Sequence, residues 1–159
     1  GYALDRGKGC IIIGNKWDLT REKEITFEEF EDKVRHKFKF LEFAPIITVS
    51  AKSGLRVDKI LPLAEKAFAE YTRRIPTGPL NDCFEKAIQR NPMSSYRGKF
   101  MKMFYATQIK NQPPTFKCFL NFPEGIHFSY RRYLINSLRK TFGLVGTPIR
   151  LILSPKQER

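Results

Sequence analysis

Two short polar clusters carry the side chains best suited to chemistry. One is Asn15-Lys16-Trp17-Asp18 and the other is Ser50-Ala51-Lys52. Between them they offer a carboxylate, a carboxamide, a hydroxyl and two ammonium groups. Such a set can recognise a ligand through hydrogen bonds, with the carboxylate as a multiple acceptor and the amide as both donor and acceptor. It is poorly suited to making or breaking bonds, and no paired carboxylates or nucleophile–base set stands out elsewhere. His36 lies between Arg35 and Lys37 and reads as solvated, whereas His127 reads as a turn residue ahead of a helix. The two histidines and three cysteines lack metal-ligand spacing. Met93, Met101 and Met103 read as packing residues.

Each cluster follows a short, β-branched apolar run. Cys10-Ile11-Ile12-Ile13-Gly14 precedes the first and Pro45-Ile46-Ile47-Thr48-Val49 the second. Both runs read as strands buried on two faces. A polar cluster just past the carboxyl end of such a strand is where open α/β sheets hold ligands. Between the strands, Thr26 and Glu29 form a capping-box pattern. Phe30, Val34, Phe38 and Leu41 then recur at helical spacing, so a helix is expected over 27–42. A second helix is expected over 56–74, with Pro62 suggesting a start one turn later. Strand–helix–strand–helix order implies parallel pairing with a right-handed crossover.

The second half reads differently. A helix containing Leu80, Phe84, Ala87 and Ile88, capped by Thr77 or Asn81, ends at Asn91-Pro92. A basic loop follows, in which Tyr96 is the exposed aromatic candidate. Alternation marks a strand over 101–109 and another over 115–122, the latter with Phe116, Cys118, Leu120 and Phe122 on one face. A helix over 128–141 and a strand over 147–153 complete an α-β-β-α-β, two-layer α+β pattern. Gly143-Leu144-Val145-Gly146 reads as a helix stop and turn, because it leads from a helix into a strand and its middle residues are apolar.

The chain has 159 residues and a formal net charge of +13. The charge is uneven: residues 1–79 have 15 basic and 12 acidic side chains, and residues 80–159 have 14 and 4. The break falls at Ile75-Pro76-Thr77-Gly78-Pro79, which reads as a linker. We therefore expect a unit over 1–75, a linker at 76–79 and a strongly basic unit over 80–159 that meets phosphate, RNA or an acidic partner. A hydrophobic fraction of 42% supports a packed core. No run of 18 apolar residues exists, so no membrane span is expected. The opening Gly1-Tyr2-Ala3-Leu4-Asp5-Arg6 does not read as a signal peptide, and it suggests a cut fragment of a longer protein. A reducing, cytoplasmic location is expected, with an organellar stroma or matrix the alternative for a eukaryotic source.

Asn15-Lys16-Trp17-Asp18 resembles the guanine-recognition motif of P-loop GTPases, and Ser50-Ala51-Lys52 resembles their last conserved loop. The separation of one β-α-β unit matches that family. The resemblance implies that Asp18 accepts from guanine N1–H and its exocyclic amine with charge-assisted strength. It further implies that the Lys16 stem covers the base, that Asn15 ties the loop to the phosphate loop, that the Ala51 N–H meets the guanine carbonyl, and that Lys52 covers the other base face. Adenine lacks the donor pair and would leave a desolvated carboxylate unpaired, at about 1–3 kcal/mol. Gly-x-x-x-x-Gly-Lys-Ser/Thr does not occur in the sequence. The chain therefore carries the base-recognition half of such a site, and alone it is expected to be inactive as a GTPase.

Gln112-Pro113-Pro114-Thr115-Phe116, Phe128-Ser129-Tyr130-x-Arg132-Tyr133-Leu134-x-Asn136 and Phe142-Gly143-x-x-Gly146-Thr147-Pro148-Ile149-Arg150 resemble the C-terminal KH-like domain of the tandem GTPases called Der or EngA. That resemblance covers nearly the whole chain. It implies a partial P-loop GTPase domain (α/β, parallel sheet) followed by an α+β KH-like domain. It also implies a GTP-binding, GTP-hydrolysing parent that binds GTP or GDP with Mg²⁺, carries N-terminal GTPase domains missing here, and works with rRNA on assembly of the large ribosomal subunit. No Mg²⁺ ligand is expected in this chain. Arg97, Lys99, Lys102, Lys117, Arg131, Arg132 and Arg139 are the expected contacts to RNA or to a neighbouring domain. The alternative is a stand-alone RNA- or ribosome-binding module without a nucleotide function.

Overall fold

The computed structural model describes residues 2–156 and, for residues 21–23, the main chain only. The chain divides into two compact units. The first contains the residues up to Tyr71 together with Val145–Pro148. The second contains Thr72–Leu144 and the residues from Ile149 on.

In the first unit, α1 (Tyr2–Asp5) precedes β1 (Ile12–Gly14), α2 (Phe27–Lys37), β2 (Ile46–Thr48) and α3 (Ile60–Thr72). β1 and β2 pair in parallel, with Ile12 opposite Ile46 and Gly14 opposite Thr48. The capping box at α2 is complete. The Glu29 N–H donates to Thr26 Oγ1, and the Thr26 N–H donates to Glu29 Oε2, both at 3.2 Å. α2 is shorter than expected, because the chain tightens into a 3₁₀ turn over Lys39–Leu41. Arg35 reaches past that turn and donates to the Ala44 carbonyl at 2.8 Å. α3 begins at Ile60, so Pro62 sits in its first turn, where the missing N–H has no intrahelical acceptor to lose. β1 is not buried on both faces as its composition suggested. It belongs to a two-stranded sheet, and Ile13 is 42% exposed. Gly146 completes this unit, donating to the Phe43 carbonyl at 2.8 Å and accepting from the Cys10 N–H at 2.7 Å.

The second unit has the order α4 (Thr77–Arg90), β3 (Met103–Asn111), β4 (Pro114–Leu120), α5 (Phe128–Phe142), β5 (Arg150–Pro155). Strand order is β3-β4-β5, the first pair antiparallel and the second parallel. This is the expected α-β-β-α-β arrangement. The fully buried side chains include Leu80 and Phe84 from α4, Phe116, Cys118 and Leu120 from β4, and Leu134 and Leu138 from α5. Each large apolar side chain there contributes roughly 1.5–3 kcal/mol relative to exposure. Leu144, a middle residue of the Gly143–Gly146 segment, is also fully buried. Gly143 terminates α5 with φ 84°, as a helix stop should.

Two details depart from expectation. Residues 76–79, read as a linker from their Pro and Gly content, are helical from Thr77. Pro79 is tolerated because it falls in the first turn. Thr77 does not cap the helix; Pro76 occupies the N-cap position and makes no side-chain capping bond. Asn81 reaches across instead. Its Oδ1 accepts from the Ala106 N–H at 2.7 Å and its Nδ2 donates to the Ala106 carbonyl at 2.9 Å. On β3, Ala106 and Gln108 face inward, while Tyr105 and Ile109 are 45% and 51% exposed. Gln108 is buried by tying down the segment before α4. Its Oε1 accepts from the Ile75 N–H at 2.7 Å, and its Nε2 donates to the Arg73 carbonyl at 3.0 Å.

Candidate functional site

The two polar clusters leave the strand ends side by side. Pairing continues past β1 and β2: the Val49 N–H donates to the Gly14 carbonyl at 2.8 Å, and the Trp17 N–H donates to the Val49 carbonyl at 3.0 Å. Glycine at position 14 lets Phe30 approach closely, because a Cβ there would lie 2.6 Å from Phe30 Cζ and push that ring aside. Lys16 adopts a left-handed conformation (φ 63°), which turns the chain sharply after Asn15. Trp17 packs edge-on against Phe27 and Phe30 of α2, with centroids 6.5 and 5.4 Å away. α2 therefore anchors the first loop.

Two bonds lock the loops together. The buried Ser50 hydroxyl donates to Asp18 Oδ1 at 2.5 Å, and the Ala51 N–H donates to Asn15 Oδ1 at 3.1 Å. The same Asn15 oxygen accepts from the Lys16 N–H at 2.7 Å. Ser50 Oγ also accepts from the Ser53 N–H at 3.2 Å. The Ser50 hydroxyl is the main cause holding the Asp18 carboxyl below its ordinary range. Partial desolvation opposes that effect, and the Asp18 N–H and the charges of Lys52 and Lys16 reinforce it. Asp18 is therefore an oriented anion with lone pairs remaining for further donors. Lys16 and Lys52 are exposed, one on each loop. All six expected residues, Asn15, Lys16, Asp18, Ser50, Ala51 and Lys52, thus stand in one connected constellation.

Through the Ala51 N–H, the Asn15 carboxamide bridges the two loops. One participant was not anticipated. Arg56 donates to the Thr48 hydroxyl and, at 3.3 Å, to the Thr48 carbonyl, bracing the end of β2. Arg56 takes a left-handed φ of 56°, which nothing in its local sequence announces.

The basic residues of the second unit fall into distinct settings. Arg97 and Lys99 belong to the turn Tyr96-Arg97-Gly98-Lys99, with Arg97 5.1 Å from the Tyr96 ring centre and Lys99 6.0 Å from that of Phe122. Lys102 lies 5.8 Å from the Phe104 ring centre and Lys117 5.1 Å from that of Phe119. Arg131 and Arg132 are exposed on α5. Arg139 is only partly exposed and donates to the Leu144 carbonyl at 2.9 Å, closing the end of its own helix. Lys86, Arg90 and Lys140, outside the expected set, line a cleft of about 320 Å³ between α4 and α5. His127 occupies the N-cap position of α5, its Nδ1 3.3 Å from Ser129 Oγ, and His36 is exposed. Among the described residues, no group of three His, Cys, Asp or Glu side chains could hold a metal ion, and no helix is long and apolar enough to cross a membrane.

Residues 74–153 match the family described as the KH-domain-like, C-terminal domain of EngA bacterial GTPase enzymes. Over its full length the chain is 41% identical to GTPase Der of Geobacter metallireducens and 47% identical to GTPase Der of Syntrophotalea carbinolica. Over 98% of its length it is 48% identical to GTPase Der of Desulforapulum autotrophicum. The chain spans 36%, 36% and 32% of those relatives' lengths.

Proposed function

Because this chain belongs to the Der, or EngA, GTPase family, we propose that it supplies the guanine-recognising end and the RNA-facing end of a GTP-binding factor for assembly of the large ribosomal subunit. The observation that carries the first part is the pair of bonds joining Asp18 to Ser50 and Asn15 to Ala51. They bring a carboxylate, two lysines and a loop N–H together at the carboxyl ends of two parallel strands, where α/β sheets bind ligands.

In this reading Asp18 accepts from guanine N1–H and the exocyclic amine. The Ala51 N–H exchanges Asn15 for the guanine carbonyl oxygen. Lys16 and Lys52 cover the two faces of the base. GTP or GDP fits these residues at its base only. In this reading the nucleotide's phosphates and Mg²⁺ are met by other parts of the parent, and the described residues offer no fitting donor set for the ion. GTP hydrolysis is accordingly assigned to the parent and to none of the side chains here. The second unit, with 14 basic and 4 acidic residues over 80–159, meets rRNA through phosphate contacts.

The test is a nucleotide swap in the longer protein. Asp18→Asn should weaken GTP and improve xanthosine triphosphate, whose ring edge presents a carbonyl where guanine has an amine. An unchanged preference between the two nucleotides would sink the role of Asp18.

A further inference from the structure

One residue of the basic unit combines features that do not ordinarily coincide. Phe100 is 92% exposed, yet the main chain beneath it is fixed. Asn121 Nδ2 donates to the Phe100 carbonyl at 2.8 Å, and the Lys102 N–H donates to Asn121 Oδ1 at 2.8 Å. The Asn121 N–H in turn donates to the Lys102 carbonyl at 3.1 Å. A single asparagine thus clamps the backbone on either side of Met101. Upstream, Tyr96 and Lys99 exchange two backbone hydrogen bonds, of 2.9 and 3.0 Å, around Arg97 (φ 50°) and Gly98 (φ 73°). Positive φ at both central residues is the signature of a tight type I′ turn. Tyr96, at its base, packs against Phe122 with centroids 5.9 Å apart and sits so close to Gly125 that a Cβ there would lie 2.7 Å from its ring. An ordered segment therefore presents an aromatic ring to solvent, with Arg97 and Lys99 before it and Lys102 after it.

We propose that Phe100 is a base-stacking residue for unpaired, single-stranded RNA, with Arg97, Lys99 and Lys102 meeting the flanking phosphates. The proposal rests on the RNA-facing reading above and adds the kind of RNA and the residue that contacts its bases. An apolar protein partner would have to desolvate the cations on both sides of the ring, whereas a nucleic-acid strand offers a flat π-face and anionic charge within one nucleotide. Duplex RNA keeps its base faces stacked inside the helix, so an unpaired strand is the fitting occupant. The presentation also differs from that of a basic Gly-x-x-Gly loop, since Gly143–Gly146 contributes the buried Leu144.

The experiment measures the affinity of the 159-residue chain for three labelled probes: an unstructured oligoribonucleotide, an abasic strand of the same length, and an RNA duplex. Phe100→Ala should weaken binding to the intact single strand by about 5- to 100-fold and leave the abasic strand unaffected, and Phe100→Trp should retain tight binding. Lys99→Ala or Lys102→Ala should weaken intact and abasic strands alike and reduce the slope against log salt by about 0.7 for each phosphate no longer neutralised. Salt-sensitive binding that Phe100→Ala leaves unchanged would overturn the stacking role while the RNA-facing reading stands. An equal loss on intact and abasic strands would overturn it too, by showing a structural effect. No salt-sensitive binding of the unaltered chain to any probe would remove both.

Discussion

Replacing Gln108 with Leu tests whether one buried carboxamide holds the entry to the basic unit. Gln108 is 4% exposed, and Ile75, whose N–H it accepts at 2.7 Å, is 3% exposed. Leucine has similar bulk but neither acceptor nor donor. The Ile75 N–H would then be buried without a partner, which costs about 1–3 kcal/mol. The bond to the Arg73 carbonyl at 3.0 Å would also be lost, at about 0.5–1.5 kcal/mol. The weaker contacts of Nε2 with the Lys110 carbonyl and Asn111 Oδ1, at 3.2 and 3.3 Å, go as well. Part of this is offset because leucine itself is cheap to bury. The net expectation is about 2–4 kcal/mol, a large share of the roughly 5–15 kcal/mol that stabilises a typical domain. Urea unfolding followed by far-UV circular dichroism reads the loss, and hydrogen exchange at the Ile75 amide localises it. A loss below about 1 kcal/mol with Ile75 still protected would refute the reasoning, since the buried N–H would then have another acceptor.

Tyr130 gives a pH prediction. Desolvation first, and Tyr133 second, push its hydroxyl up from 10.0 to about 12. The unfolded chain therefore loses this proton first, so the stability Tyr130 provides is intact below about pH 10 and lost as pH rises through about 12. Tyr130→Phe should show a flatter decline of the urea midpoint in that window, and parallel declines would contradict the shift. Ser50→Ala should move the Asp18 carboxyl upward in an NMR titration, because the hydroxyl is the chief cause of its depression. The stability from Asp18 is present above its unfolded value and is lost as pH falls through its depressed folded value, so the variant should lose less on acidification. Gly125→Ala should lower the melting temperature, since the new Cβ would lie 2.7 to 2.9 Å from Tyr96 atoms and overpacking of this kind costs about 1–3 kcal/mol. An unchanged melting temperature would show that Tyr96 is free to move.

The readable parts of this chain were those in which a local pattern is also the physical cause. The Thr26–Glu29 capping box, the first-turn proline at position 62 and the strand-then-polar-loop clusters act within a few residues of themselves, so their spacing carries the information. What escaped the sequence depends on contacts made at a distance. Alternation along β3 separated two sets of side chains, yet the inward set contains Gln108, whose burial is explained only by Ile75, 33 positions earlier. Tyr96 was the expected exposed aromatic of the basic loop. Phe122 and Gly125 cover it, and Phe100 is the ring left in water. The Pro-Gly stretch at 76–79 looked like a linker because both residues disfavour helix interiors, yet proline is tolerated in a first turn, where its missing N–H has no intrahelical acceptor. Ile13 looked doubly buried because composition reports what a strand can tolerate, and its coverage depends on how many neighbours the sheet has.

The hold of Asn81 on Ala106 has a bearing on solubility. β3 is an edge strand, and an edge of nine residues is a template on which another chain can add a strand. At Ala106 the outward N–H and C=O are both already occupied by a single carboxamide, which mimics the partner that an intruding strand would supply. The ladder shifts register on either side of that point, between Met103 and Tyr105 and between Gln108 and Lys110. A foreign strand would find no continuous run of vacant groups to zip along. A side chain that stitches helix to sheet within the molecule thereby also guards its border against other molecules.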